Sequence, residues 1–212
     1  MKILSLIKKL VADGIIEKNE PISMSEITEI EKKLCVIFPD DIKEVYTYSN
    51  GFDAFDGNLQ LYPMAIDDDF CILNASNSHR SWDWPIPQEM VIFGDNGCGE
   101  PYGFWLSEGK TETKCLIVQT GEIFEDKCLS IVANSFSDFL LIVLSFNLLD
   151  ESKDNFTELT EYYEFDESIV VDDEELLFKN IKNVINPNLM NFTADPYRDL
   201  LNKKEVIEFA KP

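Results

Sequence analysis

The chain has a single histidine, His79, in the stretch NSHRSWDWP, with Ser76, Ser78 and Ser81 around it and Asp83 four residues on. Hydroxyl, imidazole and carboxylate are the parts of a nucleophilic relay. A relay needs three groups that converge in space, however, and close neighbours along a chain seldom supply that. His79 is expected in a surface loop. One histidine also falls short of a zinc site, which draws on several His or on paired Cys. The five cysteines (Cys35, Cys71, Cys98, Cys115 and Cys128) contain no CxxC pair. Asp67, Asp68 and Asp69 cluster carboxylates of the kind hard cations bind, but successive side chains of an extended segment point opposite ways and no EF-hand pattern surrounds them. The glycines of FGDNGCGEPYG lack both GK[ST] and a helix-opening GxGxxG, so they read as a tight turn between strands. Nothing in the sequence places two carboxylates together for acid–base work. The expectation is a protein that is not an enzyme and holds no cofactor or metal.

Two other features fit contact with a partner. Trp82 and Trp84 alternate in SWDWPIP and would share one side of an extended segment, where they either close the core edge or anchor a protein interface. The second feature is charge. The chain carries 40 acidic and 18 basic residues in 212, a net charge of −22. Residues 44–109 hold 11 acids against Arg80 alone, and residues 150–178 hold 12 acids against Lys153 alone. Binding to a nucleic-acid backbone needs clustered Lys and Arg, so it is excluded as an unassisted activity, and docking on anionic lipid is disfavoured for the same reason. Acidic stretches of this kind either keep a surface solvated or attract a basic protein.

These residues must be positioned by folded elements, and the 45% hydrophobic content with 15 Phe supplies a core. Leu4, Ile7, Leu10 and Val11 give the first segment helical spacing. Ser23 and Glu26 form a capping-box pattern ahead of a helix with Ile27, Ile30 and Leu34 on its inner face. Pro39 precedes a third helix with Asp40 and Asp41 in its first turn and Ile42, Val45 and Tyr46 facing inward; Asn50-Gly51 stops it. Short apolar runs follow at 59–63, 70–73, 90–94, 102–106, 115–119, 122–124 and 128–133, separated by turn formers such as Asp56-Gly57-Asn58 and Asp95-Asn96-Gly97. Helical spacing returns over 135–149. The order predicts an α+β domain: a mostly antiparallel sheet of about five or six strands, flanked by N-terminal helices and a following helix. Residues 1–149 read as one domain, and residues 150–212 as an acidic, then helical, extension packed on it. The first residues lack the unbroken apolar region of a secretory signal, and the longest apolar run, Phe139 to Phe146, is too short for a bilayer. With scattered, odd-numbered cysteines, the expected location is the cytoplasm.

The stretch from Ile22 to Phe52 resembles the opening motif of the SUKH superfamily, in the branch of the yeast Smi/Knr cell-wall synthesis regulators and their bacterial relatives. The matching residues are Ile27, Ile30, Glu31, Leu34, Phe38, Pro39, Asp41, Lys43, Tyr46, Asn50 and Gly51. A second block is similar at Val91, Ile92, Phe93, Gly94, Gly97, Gly99, Glu100 and Tyr102, with Glu100 where Asp is frequent. A third is similar at Ala133, Ser135, Phe136, Asp138, Phe139 and Leu140. The resemblance spans about residues 1–147. It implies an α+β fold without enzymatic activity and, for bacterial members, an immunity protein that binds and neutralises a co-encoded toxin. A nuclease toxin needs a basic face to hold phosphates, so the expected partner is a basic protein. Candidate contacts are Asp53, Asp56, Asp67, Asp68, Asp69, Trp82, Asp83 and Trp84, with Asp172, Asp173, Glu174 and Glu175 in the extension. The alternative is a regulatory or scaffold protein with no toxin partner.

Overall fold

The computed structural model describes residues 3–64, 70–81, 90–105, 115–120, 128–133, 135–151, 162–163 and 192–193. Helix α1 (Ile3–Ala12) buries Ile3, Leu6, Ile7 and Leu10. Its inner stripe is rotated from the expected one, leaving Leu4 and Val11 half-buried. A three-residue strand, β1 (Ile16–Lys18), precedes helix α2 (Met24–Leu34). The α2 capping box is formed as its sequence predicts: the Ser23 backbone N–H donates to Glu26 Oε2 at 2.9 Å and the Glu26 N–H donates back to Ser23 Oγ at 3.3 Å. The Ser23 hydroxyl, which also donates to Glu26 Oε2 at 2.5 Å, and then the Ser23 N–H lower the pKa of Glu26 and hold it ionised at the positive end of the helix. Helix α3 (Asp40–Tyr48) buries Ile42, Val45 and Tyr46 as their spacing requires.

The chain then forms a hairpin, β2 (Phe52–Ala54) and β3 (Leu59–Leu61). Helix α4 (Ile72–Arg80) follows, then β4 (Met90–Asp95), β5 (Pro101–Trp105), β6 (Leu116–Thr120) and β7 (Cys128–Ala133). Helix α5 (Phe136–Glu151) comes next, and β8 (Phe192–Thr193) ends the described elements. The strands lie in sequence order, β1 to β8, and each adjoining pair is antiparallel. An α+β fold with an antiparallel sheet is therefore what the chain adopts. Among the described residues, β3 to β7 carry the expected antiparallel sheet, and the two- and three-residue strands β1 and β2 at one end and β8 at the other extend it to eight. The run at 122–124 and the helices expected in the extension lie outside the described residues.

The core sits between α1, α3 and α5 and one face of the sheet. Phe93 is its hub: its ring stacks on Phe104 at 4.1 Å and meets Phe136 and Phe139 edge-on at 5.6 and 5.4 Å. Each such ring, fully buried, contributes about 1.5–3 kcal/mol before entropy is counted. Two glycines permit backbone contacts that no side chain would tolerate. A Cβ on Gly94 would lie 2.1 Å from the Gln60 carbonyl oxygen, and one on Gly51, at φ +77°, would lie 2.3 Å from that of Leu61.

One expected strand is a helix. The run Phe70 to Leu73 opens α4, with the Cys71 thiol accepting from the Asn74 N–H at 3.4 Å as an N-cap. A short apolar run followed by polar residues fits either state by pattern alone, and tertiary packing decides here. Strand β3 leaves β4 after Tyr62, whose N–H reaches Phe93 O at 2.8 Å. The rest of that edge of β4 faces α4. There the Ser76 hydroxyl accepts from the Ile92 N–H at 3.0 Å and donates to the Ile92 carbonyl at 3.3 Å, while Arg80 donates to Met90 O at 3.0 Å. Side chains of a helix thus do the pairing a strand would otherwise do.

Candidate partner-binding surface

The register of β1 to β4 brings together residues far apart in sequence. Glu17 pairs with Asp53, Asp53 with Gln60, and Gln60 with Asp95. Their neighbours Ile16, Phe52, Ala54, Leu59 and Leu61 point into the core. Alternation along each strand therefore puts Glu17, Asp53, Gln60 and Asp95 in one row on the opposite face. Glu17 and Asp53 are exposed. Asp95 is 8% exposed and held firmly: Tyr62 Oη donates to its Oδ2, and the Gly97 N–H donates to Oδ1 at 2.6 Å.

The row is electrostatically unrelieved. Partial burial, together with the charges of Glu17 and Asp95, raises the pKa of Asp53. Burial and the hydrogen bond to Asp95 push the Tyr62 phenol up as well, so it remains a donor. Among the described residues, none of Glu17, Asp53 and Asp95 joins an ion pair. Asp56 is exposed at the tip of the β2–β3 hairpin, in a left-handed conformation at φ 52°. The β4–β5 turn packs against that hairpin: a Cβ on Gly97 would lie 2.3 Å from Gly57 O. In this turn Glu100 Oε2 accepts from Asn96 Nδ2 at 2.7 Å and from Gln119 Nε2 at 2.9 Å, which fixes another carboxylate near the row.

Of the residues expected to contact a partner, Asp53 and Asp56 are placed here, on one hairpin. Asp67, Asp68, Asp69, Trp82, Asp83, Trp84, Asp172, Asp173, Glu174 and Glu175 lie outside the described residues. Sequence reasoning missed Glu17, Asp95 and Glu100 as companions of Asp53. Glu17 belongs to a nearly neutral stretch and joins the row only through strand register.

Asp83 lies outside the described residues, and Ser76 and Ser81 near His79 are engaged elsewhere. His79 lies on helix α4, half-buried, rather than in a loop. Its Nδ1 is 2.8 Å from the Ala75 carbonyl oxygen, which can only accept, so Nδ1 carries the proton. Burial lowers its pKa. Ser76, in the same helix, spends its hydroxyl on Ile92, and Ser81 donates to Ser78 O at 2.7 Å. Among the described residues no group of three or more His, Cys, Asp or Glu could hold a metal ion. No described helix is long and apolar enough to cross a membrane. The glycine-rich stretch is the β4–β5 turn, as expected: Asn96 Oδ1 accepts from the Cys98 and Glu100 N–H groups at 3.0 and 3.1 Å.

Most of the fold sits within a recognisable sequence pattern. The model of the SMI1/KNR4 family (SUKH-1) matches residues 21–142. The chain belongs to that family. Residues 22–52 and the two later blocks carry the resemblance in the sequence, while α1 and β1, before residue 21, lie outside the match. The chain is also similar to the uncharacterized protein YnaB of Bacillus subtilis (strain 168), 44% identical over 45 residues. That stretch is 21% of this chain and 31% of YnaB.

The structure explains what several SMI1/KNR4 motif residues do in this chain. Glu31 Oε1 accepts from the Phe38 N–H at 2.7 Å and pairs with Lys43 Nζ at 2.9 Å, binding α2 to α3. Asp41 Oδ2 accepts from both the N–H and the hydroxyl of Ser137 at 3.0 Å, so α3 caps α5. Tyr46 is fully buried and donates to Tyr62 O at 3.0 Å. Asn50 Oδ1 accepts from the Met64 N–H at 2.8 Å. Glu31 and Asp41 join helix to helix, and Tyr46 and Asn50 fasten α3 to the chain that follows β3. They hold the fold, and the acidic row lies apart from them.

Proposed function

We propose that this SMI1/KNR4-family chain is a non-enzymatic binding protein of the immunity type, which neutralises a cognate basic protein toxin by covering it. The observation that carries the reading is the unpaired row of Glu17, Asp53 and Asp95, with Asp56 beside it, in a chain of net charge −22. A carboxylate such as Asp53, whose pKa burial and neighbouring acids raise, gains when a cation arrives, because a Lys or Arg of the partner relieves a repulsion already present. A basic phosphate-holding face would be steered onto this surface at a rate that falls with salt. The family name itself supports a second reading, a regulatory or scaffold protein with no toxin partner.

The test is the association rate with the product of the adjacent gene, measured at low salt and at about 0.15 M. Asp53→Lys with Asp56→Lys should slow association by about tenfold or more, with little change in the dissociation rate. Binding that ignores both salt and this double substitution would refute capture through the acidic row. An adjacent gene product that does not bind, together with a cell-envelope defect on deletion, would favour the regulatory reading.

A further inference from the structure

Phe70 is 69% exposed, the most open large apolar side chain among the described residues. Its position is set by the backbone. Phe70 directly precedes Cys71, the N-cap of α4. The first turn of that helix is tied to the chain after β3: the Ile72 N–H donates to Pro63 O at 2.8 Å and the Leu73 N–H to Met64 O at 3.3 Å. The Phe70 ring meets the Tyr62 ring edge to face, with centroids 6.3 Å apart. A ring this exposed adds little to the core. Held in place, it offers a partner apolar area at a low ordering cost.

Tyr62 connects this ring to charge. Leu59 and Leu61 are buried, so alternation puts Gln60 and Tyr62 on the outer face of the sheet, with the acidic row. Tyr62 Oη donates to Asp95 Oδ2. Asp95 is a buried carboxylate satisfied by hydrogen bonds from Tyr62 and Gly97, and among the described residues no cation pairs with it. Asp53 stands close enough to feel its charge. A carboxylate removed from water gains from a counter-charge that also gives up its own water cheaply.

Lysine and arginine bring the same charge, and the aromatic step separates them. A guanidinium is planar and more weakly hydrated than an ammonium. Its face can rest on a ring while its N–H fork reaches carboxylates in its own plane.

We propose that Phe70 and Tyr62, beside Asp95 and Asp53, form a subsite that takes an arginine side chain of the basic partner in preference to lysine. The inference rests on reading the acidic row as the partner-contact surface. It adds a choice between two cations that net charge does not make.

The probes are hexa-arginine and hexa-lysine peptides, equal in charge, titrated against the full chain at low salt. The wild type should bind hexa-arginine about two- to fivefold more tightly than hexa-lysine. Phe70→Leu keeps an apolar side chain at an exposed position and loses the π face, so most of that preference should vanish. Hexa-lysine affinity should stay within about twofold of wild type in this variant, which also reports that it is folded. Phe70→Trp restores a π face and should keep the preference. Equal binding of the two peptides by the wild type, or a ratio that Phe70→Leu leaves unchanged, overturns the arginine subsite and leaves the acidic row standing. Binding of neither peptide overturns both.

Discussion

Removing the Ser76 hydroxyl is the sharpest test of how the sheet is closed. Ser76 is fully buried and serves the Ile92 N–H and C=O at 3.0 and 3.3 Å. Ser76→Ala orphans both groups on a strand whose six residues are all buried. A buried polar group left without a partner costs about 1–3 kcal/mol. Alanine returns about 0.5 kcal/mol through its better helix propensity. With two groups orphaned, the net loss is then roughly 1.5–5.5 kcal/mol, or a fall of about 3–22 °C in Tm for a chain of this size. Urea unfolding should show a lower midpoint with an unchanged slope, because the surface exposed on unfolding stays the same. Ser78→Ala, two residues on and exposed, should stay within about 0.5 kcal/mol of wild type. If Ser76→Ala also stays within about 0.5 kcal/mol, α4 does not shield the edge of β4 from water and the reasoning fails.

Asp41→Ala should destabilise by about 1–2 kcal/mol, because it removes the acceptor for the N-terminus of α5, and calorimetry would read this directly. Asp53→Asn should stabilise the protein at neutral pH. The native pKa of Asp53 lies above its ordinary value, so the folded state binds the extra proton and wild-type stability falls as pH rises through that window. The gain from Asn should therefore be largest above the native pKa and vanish below the ordinary aspartate range. A gain that persists in acid would point to packing rather than repulsion as its source.

The sequence discloses this fold where the decisive contacts are local. Ser23 and Glu26 are three residues apart, so the capping box of α2 is legible directly. The inner face of α3 is legible for the same reason: Ile42, Val45 and Tyr46 repeat at helical spacing. Helix α4 is not legible, because Ser76 and Arg80 take their roles from Ile92 and Met90, which lie on the next described strand, β4. The acidic row is harder still. Asp53 and Asp56 stand out as acids, but Glu17 and Asp95 join them only through the antiparallel register of four strands. Asp41 reads as a residue of the first turn of its own helix, where it does accept from the Ile42 N–H at 3.0 Å, and nothing nearby shows that it also caps a second helix.

That second cap links two parts of the chain separated by 96 residues, Asp41 and Ser137. During synthesis at about 5–20 residues per second, Asp41 is made roughly 5–20 s before its partner. Over that interval β2 to β7 are made one after another, while α5, whose Phe139, Leu140 and Leu144 complete the core around Ile7, Leu10, Ile42 and Tyr46, comes last. Folding therefore waits for the third family block. Contacts of such high sequence separation bear the loop-closure entropy late and slow the search. A nascent chain that stops before Ser137 already carries α1 to α4 and β1 to β7 but lacks the α5 side chains such as Phe139 that pack on Phe93 and Tyr102, so it exposes apolar surface and leaves the Asp41 carboxylate unused.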